Sequence, residues 1–183
     1  MKTTTAVLIA GLTLIPLALT SAVQAATYRD RSVPMQVVSA FDLSRYMGKW
    51  YEIARFPNLF ERGCVGVTAE YSVRDDGKVR VVNSCRKETL DGVIDKIEGE
   101  ATVVDTGKLS VTFVPWLPFA KGDYWVLYLD PGYNIAVVGE PKGKTGWILA
   151  RKSSISADQL AAAKAALVKN GYDVSKLTMV LQR

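Results

Sequence analysis

The stretch Gly48-Lys49-Trp50-Tyr51-Glu52-Ile53-Ala54-Arg55-Phe56 decides the fold of this chain. Its aromatic and aliphatic side chains follow a glycine and are interleaved with charged ones, which is typical of a β-strand with two different faces. The glycine at its start indicates a close approach of two backbone segments. The residues that follow repeat the alternating pattern, so this stretch predicts the first strand of a sheet.

The rest of the chain predicts a regular series of antiparallel strands. Alternating or β-favouring segments bounded by turn residues follow at 65–74, 79–84, 92–105, 109–114, 123–130, 134–139 and 146–151. A capping box at Ser156 and Gln159 then begins one helix, which Gly171 ends, and residues 177–181 form a short final strand. This order predicts an all-β fold, an eight-stranded up-and-down antiparallel barrel with one C-terminal α-helix; on pattern alone a β-sandwich is the alternative.

The predicted inward faces indicate a cavity. Small side chains are expected there at Ala54, Ala69, Gly99 and Ala101, beside the large aromatic ones of Tyr71, Phe113 and Trp125. An eight-stranded barrel is just wide enough to be filled by side chains or to hold one small ligand. Small residues next to aromatic ones therefore predict an apolar, ligand-sized space.

The first 25 residues predict a signal peptide. Lys2 precedes an apolar run over 6–19, and small residues around Ala25 suit cleavage. A membrane anchor is the alternative, but the run is short and Pro16 interrupts it. Residues 26–40 then form an extended lead-in, and 41–183 form the domain. No cysteine lies near the cleavage site, so we expect a periplasmic protein without a lipid anchor; the alternatives are a secreted protein and one peripherally associated with the outer membrane.

Composition argues against several classes of function. The formal net charge is +5, but basic residues are interleaved with acids rather than clustered, so no nucleic-acid partner is predicted. The chain has no histidine, and two cysteines cannot complete a zinc site, so no metal or cofactor is expected. Because no histidine base, nucleophile elbow or phosphate loop is present, the protein is not predicted to be an enzyme.

Cys64 and Cys85 are expected to form a disulfide, because an exported protein with two cysteines favours one. A hairpin turn that pairs Arg74 with Lys78 places Cys85 opposite Val67. Cys64 would then lie three residues beyond its partner, roughly 10 Å along the strand. Bridged Cα atoms lie about 4.4–6.8 Å apart, so the start of the second strand must curl back.

Three ordered motifs resemble the lipocalin family, and in particular its bacterial lipocalin and apolipoprotein D branch. They are Gly48-x-Trp50 with Tyr51-Glu52-Ile53-Ala54-Arg55, Leu129-Asp130-Pro131-Gly132-Tyr133, and Trp147-Ile148-Leu149-Ala150-Arg151. The resemblance implies a lipocalin barrel in which Gly48, Trp50, Asp130, Tyr133 and Arg151 are structural. It also implies that Arg151 packs across the Trp50 ring at the closed end. The second motif departs from the family pattern at Leu129 and at Pro131-Gly132, which implies a loop of different shape.

The predicted barrel, the predicted signal peptide and the resemblance to lipocalins together indicate a protein that binds a small hydrophobic ligand. We expect a fatty acid or lysophospholipid, and a role in lipid handling in the cell envelope. The alternatives are a non-carrier interaction protein of the envelope and a lipocalin-type enzyme. The cavity candidates are Ala69, Tyr71, Ala101, Phe113, Trp125 and Leu127. Candidates for the cavity mouth, and for peripheral membrane contact, are Leu59, Phe60, Trp116 and Phe119. Glu52 is either a buried, partnered acid or a head-group contact.

Overall fold

The computed structural model describes residues 27–117 and 119–183, so the predicted signal peptide lies outside the described residues. The strands are β1 (Gly48–Arg55), β2 (Cys64–Val73), β3 (Val79–Lys87), β4 (Ile94–Asp105), β5 (Lys108–Thr112), β6 (Gly122–Leu129), β7 (Ile135–Gly139), β8 (Gly146–Ala150) and β9 (Thr178–Met179). The helices are α1 (Leu43–Tyr46), α2 (Ala157–Lys169) and a 3-10 turn (Val174–Lys176).

The first eight strands close into an antiparallel barrel. Each of β1 to β7 pairs with the next strand, and β1 also pairs with β8 on its other edge. The short β9 pairs with the C-terminal end of β1, at Ala54 and Arg55. This closure confirms the predicted up-and-down barrel and removes the sandwich alternative, because a sandwich has no pairing between its first and last strands.

Two layers of core pack on the two sides of the barrel wall. The inner layer gathers Trp50, Tyr71 and Val81 inside the barrel. The outer layer lies between the wall and α2, whose Ala163 and Leu167 are fully buried against it. Helix α2 begins with the predicted capping box, in which the Ser156 and Gln159 side chains each accept from the other's backbone N–H.

The lead-in packs along the outside of the barrel as an extended segment. The Val38 N–H donates to the Val126 carbonyl oxygen over 3.0 Å, and the Tyr28 N–H donates to that of Gly143. The buried Arg29 guanidinium donates to the carbonyl oxygens of Asn170 and Pro141. The segment therefore ties α2 to the loop between β7 and β8.

A bulge in β1 changes which side chains face inward. The pairing with β8 shifts between Glu52 and Ala54, which inserts one extra residue at Ile53. Trp50 and Glu52 face the barrel interior, whereas Ala54 lies in the outer layer with Ile53. The predicted inward position of Ala54 is therefore wrong, because an alternating pattern assumes an unbroken ladder.

The predicted disulfide between Cys64 and Cys85 is confirmed, with Cα atoms 5.4 Å apart. The hairpin register is the predicted one, since Val73 pairs with Val79. The curl that brings the cysteines together is a bulge between Val65 and Thr68, in which Gly66 adopts a positive φ of 57°. Glycine favours this conformation because it has no Cβ.

Candidate functional site

The barrel encloses a cavity of about 810 Å³ that opens at one end. Its mouth lies among the loops that join β1 to β2, β5 to β6 and β7 to β8, and its volume falls in the usual range of small-molecule sites. Ala69, Val81, Val111, Phe113 and Leu149 supply apolar wall. The cavity therefore offers a mainly hydrophobic space with access from solvent at the mouth.

Trp50 and Arg151 seal the other end. Trp50 is fully buried, and its indole N–H donates to the Tyr46 carbonyl oxygen over 2.8 Å. The guanidinium carbon of Arg151 lies 3.8 Å from the centre of the Trp50 ring, a cation–π contact. The two terminal nitrogens of Arg151 donate to the carbonyl oxygens of Arg45 (2.7 Å) and Lys49 (2.9 Å). These groups form the floor of the barrel and link β1 to the end of β8.

The other motif residues organise the loops around this floor. The Asp130 carboxylate accepts backbone N–H bonds from the turn that follows it. The Tyr133 hydroxyl accepts from the Asp42 N–H over 2.9 Å, and its ring lies 4.0 Å from the Arg45 guanidinium carbon. Gly48 has a φ of +88°, and a Cβ there would lie 3.5 Å from Arg151. All of these residues lie below the cavity and do not line it.

Three tyrosine hydroxyls meet near the floor of the cavity. The Tyr124 hydroxyl lies 2.7 Å from that of Tyr46 and 3.0 Å from that of Tyr71. Burial raises the pKa of Tyr71 to about 12 and the pKa values of Tyr46 and Tyr124 well above their ordinary range, so all three phenols stay neutral. The two hydrogen bonds among these hydroxyls use two of their three hydrogens. One O–H group therefore has no acceptor among the described residues.

An acidic pair lies higher in the cavity wall. Glu52 is 4% exposed, and its carboxylate accepts a hydrogen bond from the Arg55 guanidinium over 2.8 Å. Burial raises the pKa of Glu52 well above its ordinary value, and the nearby Glu61 raises it further, against the opposing effect of Arg55. Glu61 comes from the loop between β1 and β2 and accepts from the Trp147 indole N–H over 3.2 Å. Glu52 is thus a buried, partnered acid that also lines the cavity.

The mouth of the cavity has more basic than acidic side chains: it carries four lysines, against Asp123 and the Asp95 carboxylate that pairs with Lys87. Lys96, Lys121, Lys142 and Lys144 are exposed and line it, and none of them forms an ion pair within residues 27–117 and 119–183. Glu140, in contrast, is buried and accepts the backbone N–H groups of Lys142 and Lys144. An anionic group at the mouth would therefore meet unpaired ammonium groups.

Four of the six predicted cavity residues face the barrel interior. Ala69, Tyr71 and Phe113 line the cavity, and Ala101 lies below them near Tyr71 and Tyr124. Tyr124, which the sequence reasoning missed, is the inward aromatic residue of β6. Tyr124 and Trp125 are adjacent in the sequence, and the residue pattern of β6 does not show which of the two side chains faces inward.

The predicted inward orientation of Trp125 and Leu127 is wrong. Both side chains belong to the outer layer, and the Trp125 ring lies under the Lys108 ammonium at 5.0 Å. The reason is that β6 is apolar on both faces, since its outer face is covered by α2 and its inner face by the barrel core. A bulge between Val126 and Tyr128 further breaks the alternation.

The four predicted mouth residues are all strongly exposed. The exposed fractions are 80% for Leu59, 68% for Phe60, 74% for Trp116 and 82% for Phe119. Phe60 lines the cavity, whereas the other three do not. These side chains leave a large apolar surface in contact with solvent.

None of the helices in the described part of the chain has the length and hydropathy that crossing a membrane requires. Across residues 27–117 and 119–183, no three side chains of histidine, cysteine, aspartate or glutamate are grouped as metal ligands.

Comparison with known proteins agrees with this architecture. The family model for the lipocalin-like domain matches residues 41–182. Outer membrane lipoprotein Blc of Citrobacter freundii is 41% identical over 80% of this chain and 82% of its own length. Apolipoprotein D of Macaca fascicularis is 34% identical over 78% of this chain and 77% of its own. The structure of insecticyanin from the tobacco hornworm Manduca sexta superposes with a TM-score of 0.63 at 26% identity, covering 80% of this chain and 84% of that protein. With its closed barrel, its plugged floor and these relatives, the chain belongs to the lipocalin family.

Proposed function

We propose that this protein binds an anionic single-chain amphiphile, a fatty acid or lysophospholipid, and carries it within the cell envelope. One observation carries the proposal: an apolar cavity of about 810 Å³ ends in a mouth lined by four lysines, none of which has an ion-pair partner among the described residues. Lipocalins bind small hydrophobic ligands, and this cavity suits one that is apolar along its length and charged at one end.

The charge distribution orients the ligand. The acyl chain enters toward Val81, Val111 and the tyrosine cluster, where it displaces water from apolar walls. The anionic head stays at the mouth beside Lys142 and Lys144. The opposite orientation would bury the anionic head at the closed end of the cavity, beside the neutral hydroxyls of Tyr71 and Tyr124 and away from the lysines. Burying a charge without an opposite charge beside it is costly.

Two considerations support an envelope location: the relatives and the predicted signal peptide. Blc of Citrobacter freundii carries the name outer membrane lipoprotein, which supports a place in the envelope. The predicted signal peptide has no cysteine near its expected cleavage site, so we propose a periplasmic protein without a lipid anchor. We propose binding and transport without catalysis.

Titration of delipidated protein with palmitic acid and with lysophosphatidylglycerol tests the proposal. Ala69→Trp fills the cavity and is expected to lower the affinity at least tenfold, whereas the matched control Ala165→Trp, on the exposed face of α2, keeps it. Lys142→Glu with Lys144→Glu is expected to weaken binding roughly tenfold, since each exposed charge contact contributes up to about 1 kcal/mol. The control Lys152→Glu with Lys176→Glu makes the same change in net charge elsewhere on the surface.

Two results would overturn the proposal. One is failure of both ligands to bind the wild-type protein. The other is equal affinity in wild type and Ala69→Trp, because a ligand held inside the barrel has to compete with that side chain. If the charge reversals at the mouth have no effect while Ala69→Trp abolishes binding, the ligand is hydrophobic but its head group is not recognised by the lysines.

A further inference from the structure

The open end of the barrel carries an apolar rim, which we define as Leu59, Phe60, Trp116 and Phe119. Each of these side chains is at least 68% exposed. Leu59 and Phe60 come from the loop between β1 and β2, and Trp116 and Phe119 from the loop between β5 and β6. The side chains of a soluble barrel gain nothing from such exposure in water, so the rim has the composition of a surface that becomes covered.

The exposed charges of the two rim loops and of the loop between them have one sign, although the exposed Asp123 follows directly at the start of β6. The loop between β7 and β8 lies between the two rim loops in the circular order of the barrel. In these three loops the exposed charged side chains are Arg62, Lys121, Lys142 and Lys144, all basic. The two acids of the same loops do not add exposed negative charge. Glu61 accepts a hydrogen bond from Trp147 inside the mouth, and Glu140 is buried.

The fourth loop at this end differs. It joins β3 to β4 and carries the exposed acids Glu88 and Asp91, of which Asp91 pairs with Arg183. Val93 on this loop is also exposed. It lies across the mouth from the loop between β7 and β8. The open end is therefore polarised, with an apolar and basic arc of three loops facing one acidic loop.

We propose that the three-loop arc docks onto an anionic lipid bilayer, with Trp116 and Phe119 inserted among the head groups. Aromatic side chains favour the membrane–water interface, and basic side chains are attracted to anionic lipid. The acidic loop between β3 and β4 faces away from the lipid surface, so the barrel docks tilted. Phe60 and the lysines of the arc also line the cavity, but Leu59, Trp116 and Phe119 do not, so variants at these three residues test docking separately from ligand binding.

A lipid surface fits the arc better than a second copy of the chain. In a symmetric dimer through this surface each basic residue would face the same set of basic residues on its partner, and like charges at an interface oppose association. A fluid bilayer, in contrast, accommodates side chains that project from separate loops and supplies the opposite charge.

Trp116 is a natural reporter for the test. Purified protein is mixed with phosphatidylcholine vesicles that contain or lack phosphatidylglycerol, and binding is measured by flotation and by tryptophan emission. We expect flotation with the anionic vesicles and a blue shift that brominated lipid quenches. Trp147 lines the cavity and could respond to lipid uptake, so the signal of Trp116→Phe is subtracted.

Matched variants distinguish docking through the rim from nonspecific hydrophobic adsorption to the vesicles. Leu59→Ser with Phe119→Ser keeps the reporter and is expected to weaken vesicle binding at least tenfold. Val73→Ser with Val104→Ser removes two exposed valines at the closed end, 57% and 60% exposed, and is expected to leave binding unchanged. Lys142→Glu with Lys144→Glu should lower partition about 25-fold or more, at roughly fivefold per basic residue near an anionic surface.

Several outcomes would overturn the docking inference. These are no flotation of the wild-type protein, equal flotation with and without phosphatidylglycerol, and equal loss in the rim and closed-end variants. Self-association that disappears in Leu59→Ser with Phe119→Ser, seen by sedimentation without lipid and with no vesicle binding, would assign the rim to a dimer instead. Circular dichroism of each variant shows whether the barrel is intact before its binding is compared.

Discussion

The contacts of Arg151 at the floor of the barrel lead to a quantitative prediction for Arg151→Met. Methionine keeps much of the apolar stem and removes the guanidinium. The cation–π contact with Trp50 contributes about 1 kcal/mol in a partly buried setting. The two bonds to the carbonyl oxygens of Arg45 and Lys49 contribute roughly 0.5–1 kcal/mol each. We therefore expect the free energy of unfolding to fall by about 2–3 kcal/mol.

Urea unfolding followed by circular dichroism measures this loss, which corresponds to a decrease in Tm of about 5–10 °C for a protein of this size. Arg80→Met is the matched control, because Arg80 also makes a forked contact, with Glu98 at 2.6 and 2.5 Å, but is exposed. It should cost less than about 1 kcal/mol. Arg151→Lys keeps the charge but not the fork, so about half the loss is expected. Equal losses in Arg151→Met and Arg80→Met would refute the reasoning.

Three further predictions follow from the disulfide, the acidic pair and the outer layer. Replacing both Cys64 and Cys85 by alanine should lower the free energy of unfolding by about 3 kcal/mol, for a loop with a sequence separation of 21; an unchanged urea midpoint would contradict this. Because the raised pKa of Glu52 means that the folded state holds a proton that the unfolded chain has lost, its stabilising effect is full at acid pH and declines as pH rises. Glu52→Gln should therefore flatten the decline in stability from about pH 5 to about pH 8 in urea unfolding, and an unaltered slope would argue against it. Trp125→Ala should destabilise the fold by roughly 2 kcal/mol and leave the affinity for palmitic acid within about twofold, since the ring lies in the outer layer; a large loss of affinity at intact stability would return Trp125 to the cavity.

The sequence predicted most of the architecture because strands, turns and caps depend on neighbouring residues. The hairpin between β2 and β3 has the predicted register, and the capping box of α2 is present. Period-two alternation showed the inward face wherever the opposite face meets water, as in β2, β4 and β5. The inward placement of Ala69, Tyr71 and Phe113 follows from this.

The sequence alone could not orient β6, because both of its faces are apolar. One face packs on the barrel core and the other under α2, so Trp125 and Tyr124 look equivalent until the helix is placed. The same limit hid the acidic pair, since Glu61 reaches Glu52 and Trp147 from a loop whose path no local pattern specifies.

The chain by itself thus determined the number and order of the strands, the hairpin turns and the helix, and its motifs indicated the family. Tertiary structure decided which aromatic side chains enter the cavity, how the bulge at Gly66 brings Cys64 to Cys85, and where the lysines of β4 and of two loops converge. The physical reason is range: propensity and alternation act over a few residues, whereas bulges, two-sided burial and loop convergence arise from contacts between segments far apart in the chain.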